Sequence, residues 1–266
     1  MREVAIQRFL QRLGRPCVRF LDALGRLTIF TVQAFCFIFS TRRMVRRSIQ
    51  QLYVIGVQSF FVIALIGIFC GMVLGLQGYY TLVKFGSVGL LGSAISLSLL
   101  RELGPVLTAI MLTGRAGSSM AAEIGVMRIA DQIDALDVMD INSIGYLVSP
   151  RLVAAIISFP LLTAIFDVIG IVGGYITGVL LLGINSGAYW YRIASSVTMI
   201  DVTGGFIKAF VFGIVVTSVS CYQGYFAHKR LDSVGPEAVG NATTSAVVIS
   251  CVLILAFDYV LTSMLL

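Results

Sequence analysis

The sequence predicts an all-α integral membrane protein: an N-terminal interfacial amphipathic helix, five transmembrane helices, and a cytoplasmic amphipathic helix between the second and third spans. Of 266 residues, 58% are hydrophobic and only 12% are charged, and the mean hydropathy is +0.97. Soluble domains carry about 25% charged residues. The apolar residues also lie in long blocks, as a lipid bilayer requires. These observations exclude an ordinary water-soluble enzyme, a disordered regulator and a fibrous protein.

Five segments are long enough to cross the bilayer, because a helical span needs about 20 mainly apolar residues. They are Leu52–Leu76, Val88–Leu112, Leu152–Leu182, Val202–Phe226 and Ser245–Leu266. The third segment is long and contains Pro160, so we expect it to tilt, to kink at the proline or to project into water. A sixth apolar run, Leu27–Phe39, has only thirteen residues and is ambiguous on length alone.

The positions of the Lys and Arg residues resolve this ambiguity. If only the five long segments span, 15 of the 19 Lys and Arg residues lie on one side, and only Lys84 and Arg192 lie on the other. If Leu27–Phe39 also spans, the split becomes eight against nine. Cytoplasmic loops carry an excess of Lys and Arg, so the five-span arrangement is favoured. It places the N-terminus in the cytoplasm and the C-terminus across the membrane.

Residues 1–51 are predicted to form a basic interfacial region, followed by a five-span membrane domain over residues 52–266. Ten of the 19 Lys and Arg residues lie in the first 47 positions, beside apolar sequence. Apolar residues recur at helical spacing from Leu10 to Leu24, and arginines recur on another face from Arg8 to Arg19. This pattern favours a helix on an anionic membrane surface over a nucleic-acid partner. A plain solvated tail is the alternative.

The composition also argues against several kinds of chemistry on this chain. There is one histidine, His228, and the five cysteines are scattered without a CxxC pair, so we predict no metal site and no disulfide framework. The sequence contains no GxxxxGK[ST] phosphate loop, so we expect any ATP hydrolysis, with its Mg²⁺, to occur on a partner subunit. No cofactor is predicted on this chain.

Two stripes of glycines predict close helix packing. Gly67, Gly71 and Gly75 are spaced by four in the first span, and Gly170, Gly174 and Gly178 repeat that spacing in the third. Such stripes let helix backbones approach closely in lipid, where burial of apolar surface does not drive helices together. The sequence leaves open whether the stripes pack within one subunit or form a seam between two subunits.

Charged residues inside the predicted spans are candidates for a functional site, because each costs about 2.5–3.5 kcal/mol at a helix centre. They are Arg101, Glu102, Asp167, Lys208 and Asp258. Pro105 lacks the N–H that the Arg101 carbonyl would bind in a regular helix, so we expect a local break beside this charge pair. The cluster is interpreted as a polar element of a substrate path, with structural ion pairing between helices as the alternative. Asp167 could equally make a plain interhelical bond.

The loop between the second and third spans is predicted to contain one amphipathic helix, Ala121–Asp140. Val126, Ile129, Ile133 and Leu136 follow helical spacing and form one predicted face. Four aspartates make this region acidic, so an anionic lipid surface would repel it and a protein partner is favoured. A solvated connector helix is the alternative. Gly114–Ser118 is expected to be a flexible lead-in.

Several motifs resemble the MlaE (YrbE-type) permeases, the membrane subunits of ABC systems that work with MCE proteins. The matching stretches are Gly71–Tyr79, Ser98–Val106, Gly114–Ser118, Ala122–Gly125 with Met127-Arg128, Ser149–Arg151 and Phe257–Thr262. The resemblance covers nearly the whole chain from about Leu52 onward, whereas the first 45 residues match only in character. Asp167 is not part of the family pattern.

This resemblance implies a homodimeric permease in the bacterial inner membrane. It would move glycerophospholipids between the inner membrane and the outer envelope. The implied partners are a cytoplasmic ABC ATPase, a periplasmic hexamer of MCE domains and phospholipid, with a small STAS-type cytoplasmic subunit as a further candidate. The ATPase would dock on a coupling helix that corresponds to Ala122–Leu136.

The resemblance also assigns roles to residues. The pocket for lipid would be lined by Leu74, Gln77, Tyr80 and Thr81, with a polar cluster of Arg101, Glu102, Lys208 and Asp258 beneath it. The contact with the ATPase would involve Glu123, Met127, Arg128, Asp131, Gln132 and Ala135.

Other functions remain open from the sequence. An MCE-type permease for sterols or other hydrophobic molecules would share these features. An intramembrane lipid-modifying enzyme needs a nucleophile and a base, yet there is no GxSG motif, and His228 lies in a cationic fringe beside Lys229 and Arg230. A scaffold without transport is the third alternative. The direction of transport and the head-group selectivity are not encoded in any pattern that we recognise.

Overall fold

The computed structural model describes residues 22, 24–39, 44–227 and 235–265, and these residues form helices joined by short turns, without a strand. We label the helices α1 (Leu24–Cys36), α2 (Met44–Lys84), α3 (Val88–Ile129), α4 (Gln132–Val138), α5 (Ser143–Leu181), α6 (Ser186–Ser196), α7 (Met199–Tyr225) and α8 (Pro236–Leu265). Since α4 precedes α5 and α6 follows it, these two short helices mark opposite ends of the bundle, here called the α4 end and the α6 end.

The prediction of an all-α protein with five spans is confirmed. Helices α2, α3, α5, α7 and α8 have 27 to 42 residues and are apolar enough to cross a membrane. Helix α1 covers about 20 Å at 1.5 Å per residue, which is short of the roughly 30 Å of a hydrocarbon core. Helix α5 has 39 residues, or about 58 Å, so it projects beyond the core, and Pro150 and Pro160 lie within it without ending it.

Helix α1 lies against the α4 end of the bundle. Phe30 is buried and its ring contacts three aromatic rings at the end of α7, those of Tyr222, Tyr225 and Phe226. The Ser149 hydroxyl donates to the Ala34 carbonyl oxygen at 2.7 Å. Much of the predicted interfacial region, residues 1–21, 23 and 40–43, lies outside the described residues. Helix α2 begins at Met44, so the predicted boundary after residue 51 falls inside a continuous helix.

Helix α3 does not end at Leu112, as predicted, but continues to Ile129. The expectation of a flexible lead-in at Gly114–Ser118 is therefore wrong: a π-helical turn, Thr113–Gly117, carries the helix through it. Packing explains the difference. A Cβ on Gly117 would lie 3.0 Å from the Ser220 Oγ of α7, so the small residue serves close contact and not flexibility.

The prediction of one helix over Ala121–Asp140 is also wrong. The chain turns at Ala130 and Asp131, and Asp131 has a φ of 54°, a left-handed conformation that aspartate tolerates better than most residues. This turn separates the end of α3 from α4. As a result, Ile133 is fully buried while Val126 is 55% exposed, so the predicted apolar residues do not share one face.

The two glycine stripes lie against each other within one chain. Gly71 contacts the backbone of Gly170 so closely that a Cβ at Gly71 has no room. A Cβ on Gly67 would lie 3.0 Å from the Phe166 carbonyl oxygen, and one on Gly75 would lie 3.3 Å from that of Gly174. These glycines bring α2 and α5 together. The last glycine of the second stripe, Gly178, instead accommodates the Leu91 side chain of α3.

Helix α6 is fixed to α5 by a buried tyrosine. The Tyr189 hydroxyl donates to the Ile171 carbonyl oxygen at 2.9 Å. Burial raises the pKa of the Tyr189 phenol above its usual range, so the group remains a neutral donor. This contact holds the connection between α5 and α7 close to the bundle at the α6 end.

Candidate functional site

Two charged residues of α3, Arg101 and Glu102, lie on a π-helical turn, Leu99–Leu103. Pro105 has no N–H to offer the Arg101 carbonyl oxygen, which would be its partner in a regular α-helix. The Lys208 ammonium of α7 replaces the missing donor, with Nζ 2.8 Å from that carbonyl oxygen. The local irregularity predicted from Pro105 is therefore tied directly to a charged residue of another span.

Lys208 is the centre of the site. Its side chain is only 3% exposed. Besides the Arg101 carbonyl, Nζ donates to Glu102 Oε2 at 2.8 Å and to Thr262 Oγ1 at 2.7 Å. An ammonium has three protons, so these bonds use them all. Asp258 Oδ1 also lies 3.1 Å from Nζ, so Asp258 places a second carboxylate charge beside Lys208.

Arg101 has a different partner. Its Nε donates to Asp201 Oδ1 at 2.6 Å, near the start of α7. Asp201 Oδ2 accepts from the Thr198 N–H at 2.9 Å and from the Thr198 hydroxyl at 2.8 Å. Because adjacent residues on a helix point about 100° apart, Arg101 and Glu102 are each neutralised by a separate residue of α7.

Spacing along α7 explains how one helix holds both charges. Asp201, Gly205 and Lys208 recur at i, i+4 and i+7 and share the face that packs on the π-helical turn. Gly205 permits this close approach, since a Cβ there would lie 2.5 Å from the Leu100 carbonyl oxygen. Residues of α3, α7 and α8 thus form one ion network, which we call the polar cluster: Arg101, Glu102, Asp201, Lys208, Asp258 and Thr262.

The polar cluster borders a cavity of about 380 Å³. Arg101, Glu102, Asp201, Lys208 and Thr262 line it together with apolar side chains such as Leu97 and Ile200. Arg101 is 45% exposed toward this space. Four of the five charged candidates from the sequence, all except Asp167, therefore lie together in the polar cluster. Asp258 lies behind Lys208 and does not line the cavity.

A second cavity, of about 290 Å³, adjoins the first. Leu74, Gln77 and Thr81 of α2 line it, as do Ala94, Ile95 and Ser98 of α3. Ser98 lines both cavities. Tyr80, which the resemblance groups with these α2 residues, is 61% exposed and lies outside this cavity. Three of the four expected pocket residues therefore share one cavity, and Ser98 links it to the cavity beside the polar cluster.

The residues expected to contact an ATPase have mixed environments. Asp131, Gln132 and Ala135 are exposed at the α4 end, whereas Met127 is half-buried against the core. Glu123 Oε2 accepts from Arg151 Nη2 at 2.8 Å, which joins α3 to α5. Arg128 Nη1 donates to Asp134 Oδ1 at 2.6 Å and so closes the turn between α3 and α4. The most exposed apolar residue here is Val138 of α4, at 87%.

Two residues of the polar cluster were not predicted as site residues. Asp201 had an available signal, because Thr198-x-x-Asp201 is a capping-box pattern and the structure forms that box. For Thr262 the only signal was that it ends the matching stretch Phe257–Thr262. Asp167 stays apart from the cluster: it is 5% exposed, lies against Gly104, and its Oδ1 has no hydrogen-bond partner among the described residues.

Five apolar spans, an ion network that joins three of them, and two cavities lined by residues of these spans define a polytopic membrane protein built like the permease of a transporter. Comparison with known proteins identifies its family. The model of the family described as "Permease MlaE" matches residues 48–264. The chain belongs to the MlaE permease family, which confirms the resemblance seen in its motifs.

Individual relatives agree with this assignment. A probable ABC transporter permease protein of Rickettsia bellii is 42% identical over 252 residues, which is 95% of each chain. The intermembrane phospholipid transport system permease protein MlaE of Haemophilus influenzae is 39% identical over 261 residues, or 98% of each chain. The chloroplastic protein TRIGALACTOSYLDIACYLGLYCEROL 1 of Arabidopsis thaliana is 33% identical over 218 residues, which is 82% of this chain and 61% of that one.

Proposed function

We propose that this chain is the permease subunit of an ABC transporter that moves glycerophospholipids between the bacterial inner membrane and the outer envelope. A separate ATPase supplies the energy, and an MCE-domain hexamer receives or delivers the lipid. The relative from Haemophilus influenzae carries the name of an intermembrane phospholipid transport system, which supports the substrate class.

The pair of adjoining cavities carries this proposal. One is bordered by charged groups, whereas the other has no charged residue in its lining of apolar and uncharged polar side chains, and Ser98 lines both. A phospholipid has the same division between a charged phosphate and apolar tails. A sterol has no charged group, so a permease for sterols would gain nothing from a costly ion network beside its pocket.

Helix α3 provides the mechanical link in this mechanism. It runs without interruption from the polar cluster at Arg101 to Ile129 beside α4. At 1.5 Å per residue, these positions are about 42 Å apart along the axis. An ATPase that grips α4 would therefore move the polar cluster through one helix. Closure of two ATPase subunits would shift the spans and change the volume available to the lipid.

Arg115 extends this link to a neighbouring helix. It lies on the second π-helical turn of α3, and its Nη1 donates to the Val54 carbonyl oxygen at 3.0 Å and to Ser59 Oγ at 2.7 Å. Val54 belongs to a π-helical turn of α2, Tyr53–Val57. A movement of α3 would thus move α2 as well, and α2 lines the second cavity.

The same proposal includes the orientation of the chain in the membrane and its pairing with a second copy. In it, the α4 end and the N-terminus lie in the cytoplasm and the α6 end and the C-terminus in the periplasm, an orientation supported by the excess of Lys and Arg on one side. Apolar side chains such as Val252 and Leu255 are exposed along α8, and Phe61 and Val73 are exposed along α2. A second copy of the chain would cover part of this surface, so that the lipid pocket lies at a dimer seam.

Reconstitution tests the function. The permease, purified with its ATPase and MCE partners, is placed in vesicles that contain pyrene-labelled phosphatidylglycerol, and transfer to acceptor vesicles is followed with ATP. We expect ATP-dependent transfer that is lost in Glu102→Ala. Transfer of a labelled sterol, with none of phosphatidylglycerol, would favour the alternative permease. Chemical modification of the labelled lipid would indicate an enzyme, and a complex inert toward all lipids would indicate a scaffold.

A further inference from the structure

Asp201 uses its two carboxylate oxygens for two different tasks. Oδ2 accepts from the backbone and hydroxyl of Thr198 and so completes the capping box at the start of α7. Oδ1 is not needed for capping and accepts from Arg101 Nε at 2.6 Å. The Asp201 side chain is only 5% exposed in this arrangement.

Arg101 is held by one nitrogen only. Among the described residues, no hydrogen bond from its two terminal nitrogens is present, and the side chain is exposed to the cavity. A guanidinium offers five N–H donors in a fixed fork and binds phosphate oxygens in pairs. The bond to Asp201 fixes the plane of this fork while leaving its outer edge in the cavity.

We propose that Asp201 is a positioning residue for phospholipid recognition. It orients Arg101 so that the terminal nitrogens bind the phosphate of the lipid. This inference rests on the proposed function and adds the residue that sets head-group recognition. Thr198, which joins α6 to α7, bonds only the other oxygen of this carboxylate, so the cap and the orientation of Arg101 can be tested separately.

A purely structural helix cap would behave differently. Asp201→Asn keeps an oxygen that can accept from the Thr198 N–H, but it loses the charge that holds Arg101. Thr198→Val is the matched control: it removes the hydroxyl and weakens the cap while leaving the bond between Asp201 and Arg101. Asp201→Glu keeps the carboxylate, and glutamate is common at this position of a capping box.

The test uses the assembled transporter with its ATPase and MCE partners, in vesicles that contain two probes. One is pyrene-labelled phosphatidylglycerol, which carries a phosphate, and the other is pyrene-labelled diacylglycerol, which does not. The readout is the ratio of their ATP-dependent transfer rates, since a structural defect lowers both rates together.

We expect Asp201→Asn to lower this ratio about tenfold, because a charge-assisted hydrogen bond is typically worth that factor or more. Thr198→Val should leave the ratio unchanged, and Asp201→Glu should restore it. In an Arg101→Gln background, Asp201→Asn should have no further effect, because Asp201 acts through Arg101.

Three results would overturn the proposal: an equal loss of both transfer rates in Asp201→Asn, the same loss of the ratio in Thr198→Val, or independent effects of Asp201→Asn and Arg101→Gln. A wild-type complex that transfers neither probe would overturn the proposed function itself. Wild-type transfer of phosphatidylglycerol with an unchanged ratio in Asp201→Asn would overturn only the role of Asp201.

Discussion

The Lys208 ammonium lies 2.8 Å from the carbonyl oxygen of Arg101, the carbonyl that Pro105 leaves without its usual backbone donor. Lys208 of α7 therefore supplies the hydrogen-bond donor that this carbonyl oxygen of α3 lacks. The same ammonium neutralises Glu102 and lies beside Asp258, so its removal affects backbone and charges together.

Lys208→Met is expected to lower the free energy of unfolding by about 3 kcal/mol, because it removes a buried cation and leaves the partly buried carboxylates of Glu102 and Asp258 unpaired. Denaturation in detergent micelles measures this. Thr262→Val removes one neutral acceptor and should cost only about 1 kcal/mol. Addition of Asp258→Asn to Lys208→Met should recover part of the loss, and the absence of any recovery would argue against the charge interaction assigned to Asp258.

Gly71→Ala is expected to separate α2 from α5, because the new methyl group would occupy the space of the Gly170 backbone. Overpacking of this kind costs roughly 1–3 kcal/mol. The midpoint of thermal unfolding in micelles should fall. Gly240→Ala is the control, since nothing lies within 4 Å of a Cβ at that position of α8, and it should be neutral or stabilising by up to about 1 kcal/mol. Equal effects of the two substitutions would contradict the packing described.

Arg115→Gln is expected to loosen α2 from α3. Its guanidinium also donates to Gln58 Oε1 at 2.9 Å, so the substitution removes contacts to three residues of α2. We expect a loss of about 2 kcal/mol in unfolding free energy. Ser59→Ala, which removes one of these acceptors, should cost less. If Ser59→Ala proved the more damaging change, Arg115 would not be the residue that joins the two helices.

Glu123 is expected to act within the chain, through Arg151, as well as at any partner surface. In a double-mutant cycle with Glu123→Gln and Arg151→Gln, we expect a coupling energy of about 1 kcal/mol in the isolated subunit. Asp137→Asn, an exposed acid on α4, should show no coupling to Arg151. Additive effects of Glu123→Gln and Arg151→Gln would indicate that Glu123 does not interact with Arg151 and acts only at a partner surface.

The α4 end is expected to contact the ATPase. A photo-crosslinking amino acid at Val138 should join the two subunits when the complex is irradiated in membranes. The control is Leu181, which is 67% exposed at the α6 end. Mass spectrometry of the products identifies the partner. Crosslinks from position 181 to the ATPase, with none from position 138, would invert the proposed orientation.

The spans and much of the polar cluster could be predicted because the bilayer imposes simple rules. Apolar blocks of the necessary length predicted the five spans, and the cost of intramembrane charge selected Arg101, Glu102, Lys208 and Asp258, together with Asp167, which lies apart from the cluster. Asp201 escaped this argument because it lies at the start of a span, where an acidic residue is ordinary. Its importance comes from a contact with a residue 100 positions away in sequence.

The region around α4 was predicted less well, because packing overrode local preference. Gly114 and Gly117 are poor helix formers, yet α3 continues through them since Gly117 allows α7 to approach. The turn at Asp131 has no distinctive signal, because aspartates are frequent throughout this segment. The helical spacing of the apolar residues from Val126 to Leu136 therefore predicted one helix, although the backbone turns at Asp131.

The uninterrupted course of α3 also restricts how this chain can vary. Insertion of one residue between Arg101 and Ile129 would turn one end of the helix by about 100° relative to the other and lengthen it by about 1.5 Å. The Arg101 guanidinium and the turn before α4 would then no longer keep their relative orientation around the helix axis. This stretch should accept substitutions far more readily than single-residue gains or losses, so its length is itself a part of the machinery.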